Sequence, residues 1–216
     1  LMSLMISDVP GDDPALIGSG PTVGDGSTPG DAAAVLAKWA IDMPQSVSDV
    51  LSAHSGILAP QDPRLALTEN RIIAAPMQSL EAAATKARES GCEVRILGDR
   101  IEGEAYKVAK AHAQLALQIS RALAAGDRPV LLLPGGELTV TRRGDGIGGP
   151  NAEYALALAC ELNGADGIHA IACDTDGVDG AAEVAGAVIG PQTLQRARSA
   201  GHDAEEFLAR NDSHTF

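Results

Sequence analysis

The apolar positions along the chain fall into short continuous runs and longer stretches of helical period. Leu1 to Ile6 is short, apolar and followed by Ser7-Asp8-Val9-Pro10-Gly11, which predicts a buried strand ending in a polar loop. The loop continues, rich in Gly, Pro, Ser, Thr and Asp, to Gly30. Asp31 is expected to cap a helix with Ala33, Leu36, Ala37 and Ala40 on one apolar face. Ser46 or Ser48 starts a second, short helix to about Ala53. Two prolines and a glycine between Ser55 and Pro63 mark a candidate domain boundary.

From Arg71 the rhythm alternates. Strands are expected at Ile72 to Ala75, Glu93 to Leu97, Pro129 to Leu133, Leu138 to Thr141 and Ile168 to Ala172. Helices are expected at Met77 to Ser90, Gly103 to Ala125, Pro150 to Leu162, Pro191 to Ser199 and Asp203 to Arg210. Apolar strands alternating with helices indicate crossover units on a mostly parallel sheet, so the class is α/β. In the long helix Val108, His112, Leu115, Ile119 and Leu123 form one stripe, and His112 on such a stripe reads as a hydrogen-bonded core residue.

Composition narrows the function classes. The chain has 216 residues, 16 basic against 29 acidic, and a formal net charge of -13. A phosphate backbone would repel it, so nucleic acid is not an expected partner. No apolar stretch reaches the 18 or so residues of a membrane span, and a membrane is not expected either. Three scattered cysteines, Cys92, Cys160 and Cys173, form no CxxC pair and point to a reducing, cytoplasmic setting. Five aromatic residues leave a core of Ala, Leu, Ile and Val. The opening at Leu1, with neither an initiator Met at position 1 nor a signal-peptide pattern, reads as that of a fragment.

Four loops follow strands and combine Gly with Asp, Glu, Ser, Thr or Asn, the loops that line ligand crevices in open α/β sheets. The first is Ser7-Asp8-Val9-Pro10-Gly11-Asp12-Asp13 with Gly18-Ser19-Gly20-Pro21-Thr22. It reads either as an oxyanion and cation site or as a turn-rich surface loop. The second is Gly135-Gly136-Glu137. The third, Gly144-Asp145-Gly146-Ile147-Gly148-Gly149, matches GxGxxG formally and precedes a helix with Pro150 in its first turn, an arrangement suited to phosphate or carboxylate. Its preceding strand is not a first Rossmann strand, which argues against a dinucleotide fingerprint. The fourth is Asp174-Thr175-Asp176-Gly177-Val178-Asp179-Gly180. Ala185 stands where an EF-hand needs its twelfth-position Glu, leaving magnesium or a solvated acidic turn. No GxxxxGK[ST] occurs.

Taken in order, these loops, with Leu138-Thr139-Val140 and Pro150-Asn151-Ala152-Glu153, resemble the glycerate 2-kinase family that carries the MOFRL C-terminal domain and whose members are often labelled hydroxypyruvate reductases. The resemblance implies a three-layer α/β/α mixed, mostly parallel sheet with part of a second α/β/α domain at the N-terminus. It divides the chain at residue 62: 1–62 would close the first, Rossmann-like domain and 63–216 would form most of the second. It implies transfer of the ATP γ-phosphoryl group to a hydroxyl of D-glycerate with magnesium. The alternatives are an NAD(P)H-dependent hydroxypyruvate reductase and a non-catalytic ligand-binding fragment. Members continue beyond both ends of this chain, with a lysine thought to serve the active site in the preceding segment.

For a phosphoryl-transfer site of this kind we expect Asp8, Asp12 and Asp176 in catalysis, and Asp8, Asp176 and Asp179 at the metal. Ser7, Ser19, Gly20, Thr22, Gly135, Gly136, Gly148, Gly149, Thr175 and Gly177 surround the nucleotide, and Glu137, Asn151 and Glu153 the substrate. Pro150 and Ala152 stand where many members have Arg and Gln, and Ala181-Ala182-Glu183 where Pro-Thr-Asp is common. A homodimer is left open.

Overall fold

The computed structural model describes residues 1–53, 57–181 and 183–216. Ser55 and Gly56, in the expected boundary, and Ala182, in the fourth-loop departure, lie outside the described residues. The chain forms two compact units, Leu1–Ser79 and Leu80–Phe216.

In the first unit β1 (Met2–Ile6) pairs in parallel with β2 (Glu69–Ala74). The register runs from Met2 opposite Glu69 to Met5 opposite Ile72, then shifts so that Ile6 meets Ala74. This pairing draws β2 into the unit of β1, and the unit boundary therefore falls beyond residue 62. Burial of β1 differs from expectation. Met5 is buried, whereas Met2, Leu4 and Ile6 are 56%, 59% and 70% exposed, because alternate strand residues point to opposite faces and only one face of the pair is covered here.

Helix α1 spans Pro29–Lys38 and α2 spans Gln45–Ser52. The cap of α1 is Thr28, not Asp31. Thr28 Oγ1 accepts from the Asp31 N–H at 3.2 Å, and Asp31 Oδ2 accepts from the Thr28 N–H at 2.8 Å. Pro29 explains the displacement, since proline suits the first helical position and sets Thr28 as the residue before it. Pro44 precedes α2 without a side-chain cap, so neither Ser46 nor Ser48 opens it.

Helix α3 (Pro76–Glu89) leads to β3 (Glu93–Gly98), and the compact-unit boundary falls in its first turns. In the second unit β3 pairs in parallel with β5 (Val130–Pro134), and the short β4 (Gly103–Glu104) with β6 (Leu138–Thr139). Strand β7 (Ala170–Cys173) runs antiparallel to β8 (Gly186–Ile189), an unexpected strand. The strand pairing is thus mixed and mostly parallel.

Helix α4 (Ala105–Ala122) lies against α5 (Pro150–Leu162), and α6 (Thr193–Ser199) and α7 (Ala204–Ala209) complete the unit. The core is the small-residue core that composition predicts. Ala105, Ala109 and Ala113 recur every fourth position and are fully buried, letting α4 approach α5 closely. The tightest contact therefore runs one residue away from the Val108–His112 stripe. Helix α5 is buried on every side from Ala152 to Ala159, with Glu153 and Tyr154 among those residues. His112 Nδ1 meets the Tyr154 hydroxyl at 2.8 Å, which bears out its structural reading. Burial lowers the His112 pKa and pushes the Tyr154 phenol up to about 12.

Candidate functional site

The first loop belongs to the N-terminal unit. Ser7 is buried, and its N–H donates to Ala74 O at 2.9 Å, continuing the strand pair into the loop. Asp8 is exposed. Asp13 Oδ1 accepts from the Ala15 N–H at 2.9 Å and turns the chain into the 3-10 turn Ile17–Ser19. Gly18, Ser19 and Gly20 all have left-handed backbone, at φ 57, 64 and 60. For Ser19 that costs roughly 1–2 kcal/mol. A Cβ on Gly20 would sit 2.7 Å from Ala15 O, whereas one on Gly18 would meet open space. Thr22 Oγ1 donates to Asn70 Oδ1 at 2.6 Å, and Asn70 Nδ2 to Thr22 O at 3.2 Å, fastening the loop to β2. Asp12 Oδ1 is buried without a hydrogen-bond partner among the described residues.

The remaining loops belong to the C-terminal unit. At the end of β5 the Gly135 N–H donates to Gly98 O at 2.8 Å and Gly135 O accepts from the Ile101 N–H at 3.0 Å. A side chain on Gly136 would overlap the Ile101 backbone, so this glycine pair allows close backbone packing and leaves Glu137 exposed beside it.

The third and fourth loops meet. Asp179, fully buried, receives the Asn151 N–H (2.9 Å) and Nδ2 (3.2 Å) on Oδ1 and the Ala152 N–H (2.7 Å) on Oδ2. The anion at the N-terminus of α5 is therefore the protein's own carboxylate, and the first turn expected to face a phosphate is already satisfied. Asp179, expected among the metal ligands, has both oxygens engaged by these donors. Its partners explain Gly149 and Gly180: a Cβ on Gly149 would overlap the Asp179 carboxyl, and one on Gly180 would lie 2.8 Å from Gly148 O. Asp176 is exposed with Thr175 and Gly177, and its Oδ1 accepts from the Val178 N–H at 2.8 Å.

The other flank of the glycine loop rests on Arg210 to Ser213, a segment that no local sequence pattern singles out. Side chains on Gly144 or Gly146 would come within 2.7 Å of Arg210 O, and one on Gly148 within 2.5 Å of Ser213 Oγ. Asn211 Oδ1 accepts from the N–H groups of Arg143 (2.6 Å) and Gly144 (3.1 Å). Asp212 Oδ1 accepts from the Ile147 N–H at 3.0 Å. The Thr215 hydroxyl, that Ile147 N–H and the Arg210 guanidinium hold the Asp212 carboxyl near a pKa of about 2. The signal was present in sequence as glycine at every second position, 144, 146 and 148, which marks one loop edge approached by another backbone.

Glu153 is buried, and its Oε2 accepts from Asn211 Nδ2 at 3.0 Å. Burial raises its pKa, with the Glu104 carboxylate adding to the rise and the Asn211 hydrogen bond opposing it. Glu104 is itself lowered, chiefly by the hydroxyl of Thr141. Among the described residues no three His, Cys, Asp or Glu side chains gather to hold a metal. Magnesium is commonly held by one or two carboxylates together with phosphate oxygens, so the unpartnered Asp12 Oδ1 fits such an ion without a protein cage.

Three parallel strand pairs and one antiparallel pair, with glycine and carboxylate loops after the strands, define an α/β protein. Residues 130–216 match the model described as the MOFRL family, and residues 1–52 match a domain of unknown function, DUF4147. A protein of Agrobacterium vitis named "Putative hydroxypyruvate reductase" is 46% identical over 217 residues, covering 100% of this chain and 49% of its own length. The D-glycerate 2-kinase of Thermotoga maritima is 31% identical, covering 99% of this chain and 50% of its own. The crystal structure of glycerate kinase from Thermotoga maritima superposes with a TM-score of 0.86 at 30% identity, over 99% of this chain and 50% of that one. The PH0495 protein of Pyrococcus horikoshii gives 0.78 at 32% identity, again over 99% and 50%. The chain thus carries a MOFRL-family region and a DUF4147 region, is similar over nearly all its length to glycerate kinases, and spans about half the length of the curated relatives it matches.

Proposed function

We propose that the protein to which this chain belongs is a glycerate kinase, transferring the γ-phosphoryl group of ATP to a hydroxyl of D-glycerate with magnesium. The observation that carries the reading is the match of 99% of the chain, through all four loops, to the glycerate kinase of Thermotoga maritima. Phosphoryl transfer rests on positioning and charge neutralisation more than on covalent protein chemistry, which suits glycine loops and carboxylates. When bound, ATP would supply the phosphoryl group and magnesium would offset the charge on its oxygens.

The chain's own residues do the rest. Asp12, with its unpartnered oxygen, and Asp8 are the first-loop candidates for metal ligand or general base, and Asp176 is the fourth-loop candidate. The candidates for nucleotide binding are Ser7, Ser19, Gly20 and Thr22 in the first unit, and Gly135, Gly136, Gly148, Gly149, Thr175 and Gly177 in the second. Glu137, Asn151 and Glu153 bind the hydroxy acid. Asp179 orients Asn151, whose side-chain carbonyl is left to a ligand hydroxyl.

The name of the Agrobacterium vitis relative favours a second reading, reduction of hydroxypyruvate with a nicotinamide cofactor. Against it, the chain offers a nicotinamide only the formal GxGxxG of Gly144, Gly146 and Gly149, and the strand before that loop is not a first Rossmann strand. Turnover of D-glycerate with MgATP, with Asp8→Ala and Asp176→Ala as variants, tests the proposal. Phosphoglycerate formation that falls at least about 100-fold in a variant supports it, on the scale of lost charge stabilisation in transfer sites. No turnover by the wild type, or turnover unchanged from wild type in both variants, rejects it.

A further inference from the structure

Asn211 has no chemical role in the reading above, yet it is where α5 and the glycine loop are joined. Its backbone is left-handed, at φ 54, and its side chain is buried. Oδ1 accepts from Arg143 N–H at 2.6 Å and Gly144 N–H at 3.1 Å, while Nδ2 donates to Thr141 O at 3.3 Å and Glu153 Oε2 at 3.0 Å. All four hydrogen-bonding positions of the amide are used. Aspartate could accept but not donate, and leucine or alanine could do neither. Among side chains of this length, asparagine alone meets both demands, and it tolerates the left-handed backbone.

We propose that Asn211 is a positioning residue of the candidate site: a single side-chain amide ties the entry of the glycine loop to the Glu153 carboxylate and fixes where both stand. The role rests on the reading of Glu153 and this loop as part of the substrate pocket. The charged groups acting on Glu153 are the Glu104 carboxylate, which opposes its ionisation, and the Arg143 guanidinium, which favours it. The amide of Asn211 is neutral and adds a donor without adding charge, so Glu153 can ionise while staying fixed.

The test compares wild type with Asn211→Ala and Asn211→Asp in three measurements. These are hydrogen exchange at the Arg143 and Gly144 amides, carbon-13 titration of the Glu153 carboxyl, and KM and kcat for D-glycerate with MgATP. Asn211→Ala is expected to speed exchange at both amides about tenfold, the equivalent of one lost hydrogen bond. Asn211→Asp keeps the acceptor, so the amides stay protected, but a second carboxylate beside Glu153 raises its titration midpoint by about one pH unit or more. In that variant KM rises about tenfold at pH 8 and recovers near pH 5, where the pair shares a proton, and kcat changes less. A residue that only supported the fold would move stability and exchange together and leave the Glu153 midpoint alone. Unchanged exchange in Asn211→Ala, or an unchanged midpoint in Asn211→Asp, overturns the proposal. Absence of turnover in the wild type is a separate result that removes the kinase reading, and exchange and titration still decide whether Asn211 positions Glu153.

Discussion

Replacing Asp179 separates its two readings, helix cap and metal ligand. Its carboxylate is fully buried and accepts two backbone N–H groups, at 2.9 and 2.7 Å, and the Asn151 side chain at 3.2 Å. Hydrogen bonds to a charged acceptor contribute about 1.5–3 kcal/mol each, and loss of an N-cap costs about 1 kcal/mol. Asp179→Asn keeps the shape but turns one acceptor into an NH2 facing a donor, which is expected to cost about 2–4 kcal/mol. Asp179→Ala strands both amides in the interior and is expected to cost on the order of 4 kcal/mol. At roughly 2–4 °C per kcal/mol, the alanine variant should melt about 8–16 °C lower. Urea and thermal unfolding by circular dichroism, without divalent metal, read the effect. A loss below about 1 kcal/mol in both variants would refute the cap. So would stability that differs from wild type only when magnesium is added, the signature of a ligand lost from a metal site.

Gly146→Ala places a Cβ 2.6 Å from Asp212 Cα and 2.7 Å from Arg210 O, and overpacking of this kind costs about 1–3 kcal/mol in an unfolding titration. Gly18→Ala meets no atom, so only its left-handed backbone opposes it, at about 1 kcal/mol, and the two alanine variants should rank in that order. Asp212 has a folded pKa of about 2, below the ordinary carboxylate value, so its stabilisation is present above about pH 4 and is lost as pH falls toward 2. Loop amide exchange at Ile147 should accelerate in that window, and Asp212→Asn should remove the dependence. His112 is lowered by burial, so stability is expected to fall as pH drops below about 6.5, and His112→Gln should flatten that limb of a pH-stability curve.

Periodicity made most elements legible, because a buried run or a one-faced helix imposes its spacing on the sequence. The helix expected from Pro150 to Leu162 forms over those residues, with Pro150 in its first turn. Strand β8 was hidden, since Gly186-Ala187-Val188-Ile189 is four residues long and follows a loop whose acidic chemistry drew the reading toward a cation. The cap of α1 was misplaced because Thr28 and Asp31 both suit a cap, and only their reciprocal bonds show which leads. For the site, sequence identified residues rich in chemistry but not their internal partners. Gly149 and Asp179 were each read toward a ligand, whereas in the fold they face each other. Asn211 and Asp212 escaped notice because their partners lie some 60 to 70 positions away, a separation that no local pattern records.

Phosphorus-31 resonance of the full-length protein with D-glycerate, ATP and magnesium tests the kinase reading most directly. The expected result is a new phosphomonoester signal, coupled to glycerate protons and growing in step with ADP. Loss of NADH absorbance with hydroxypyruvate, with no such phosphorus signal from D-glycerate, would contradict it.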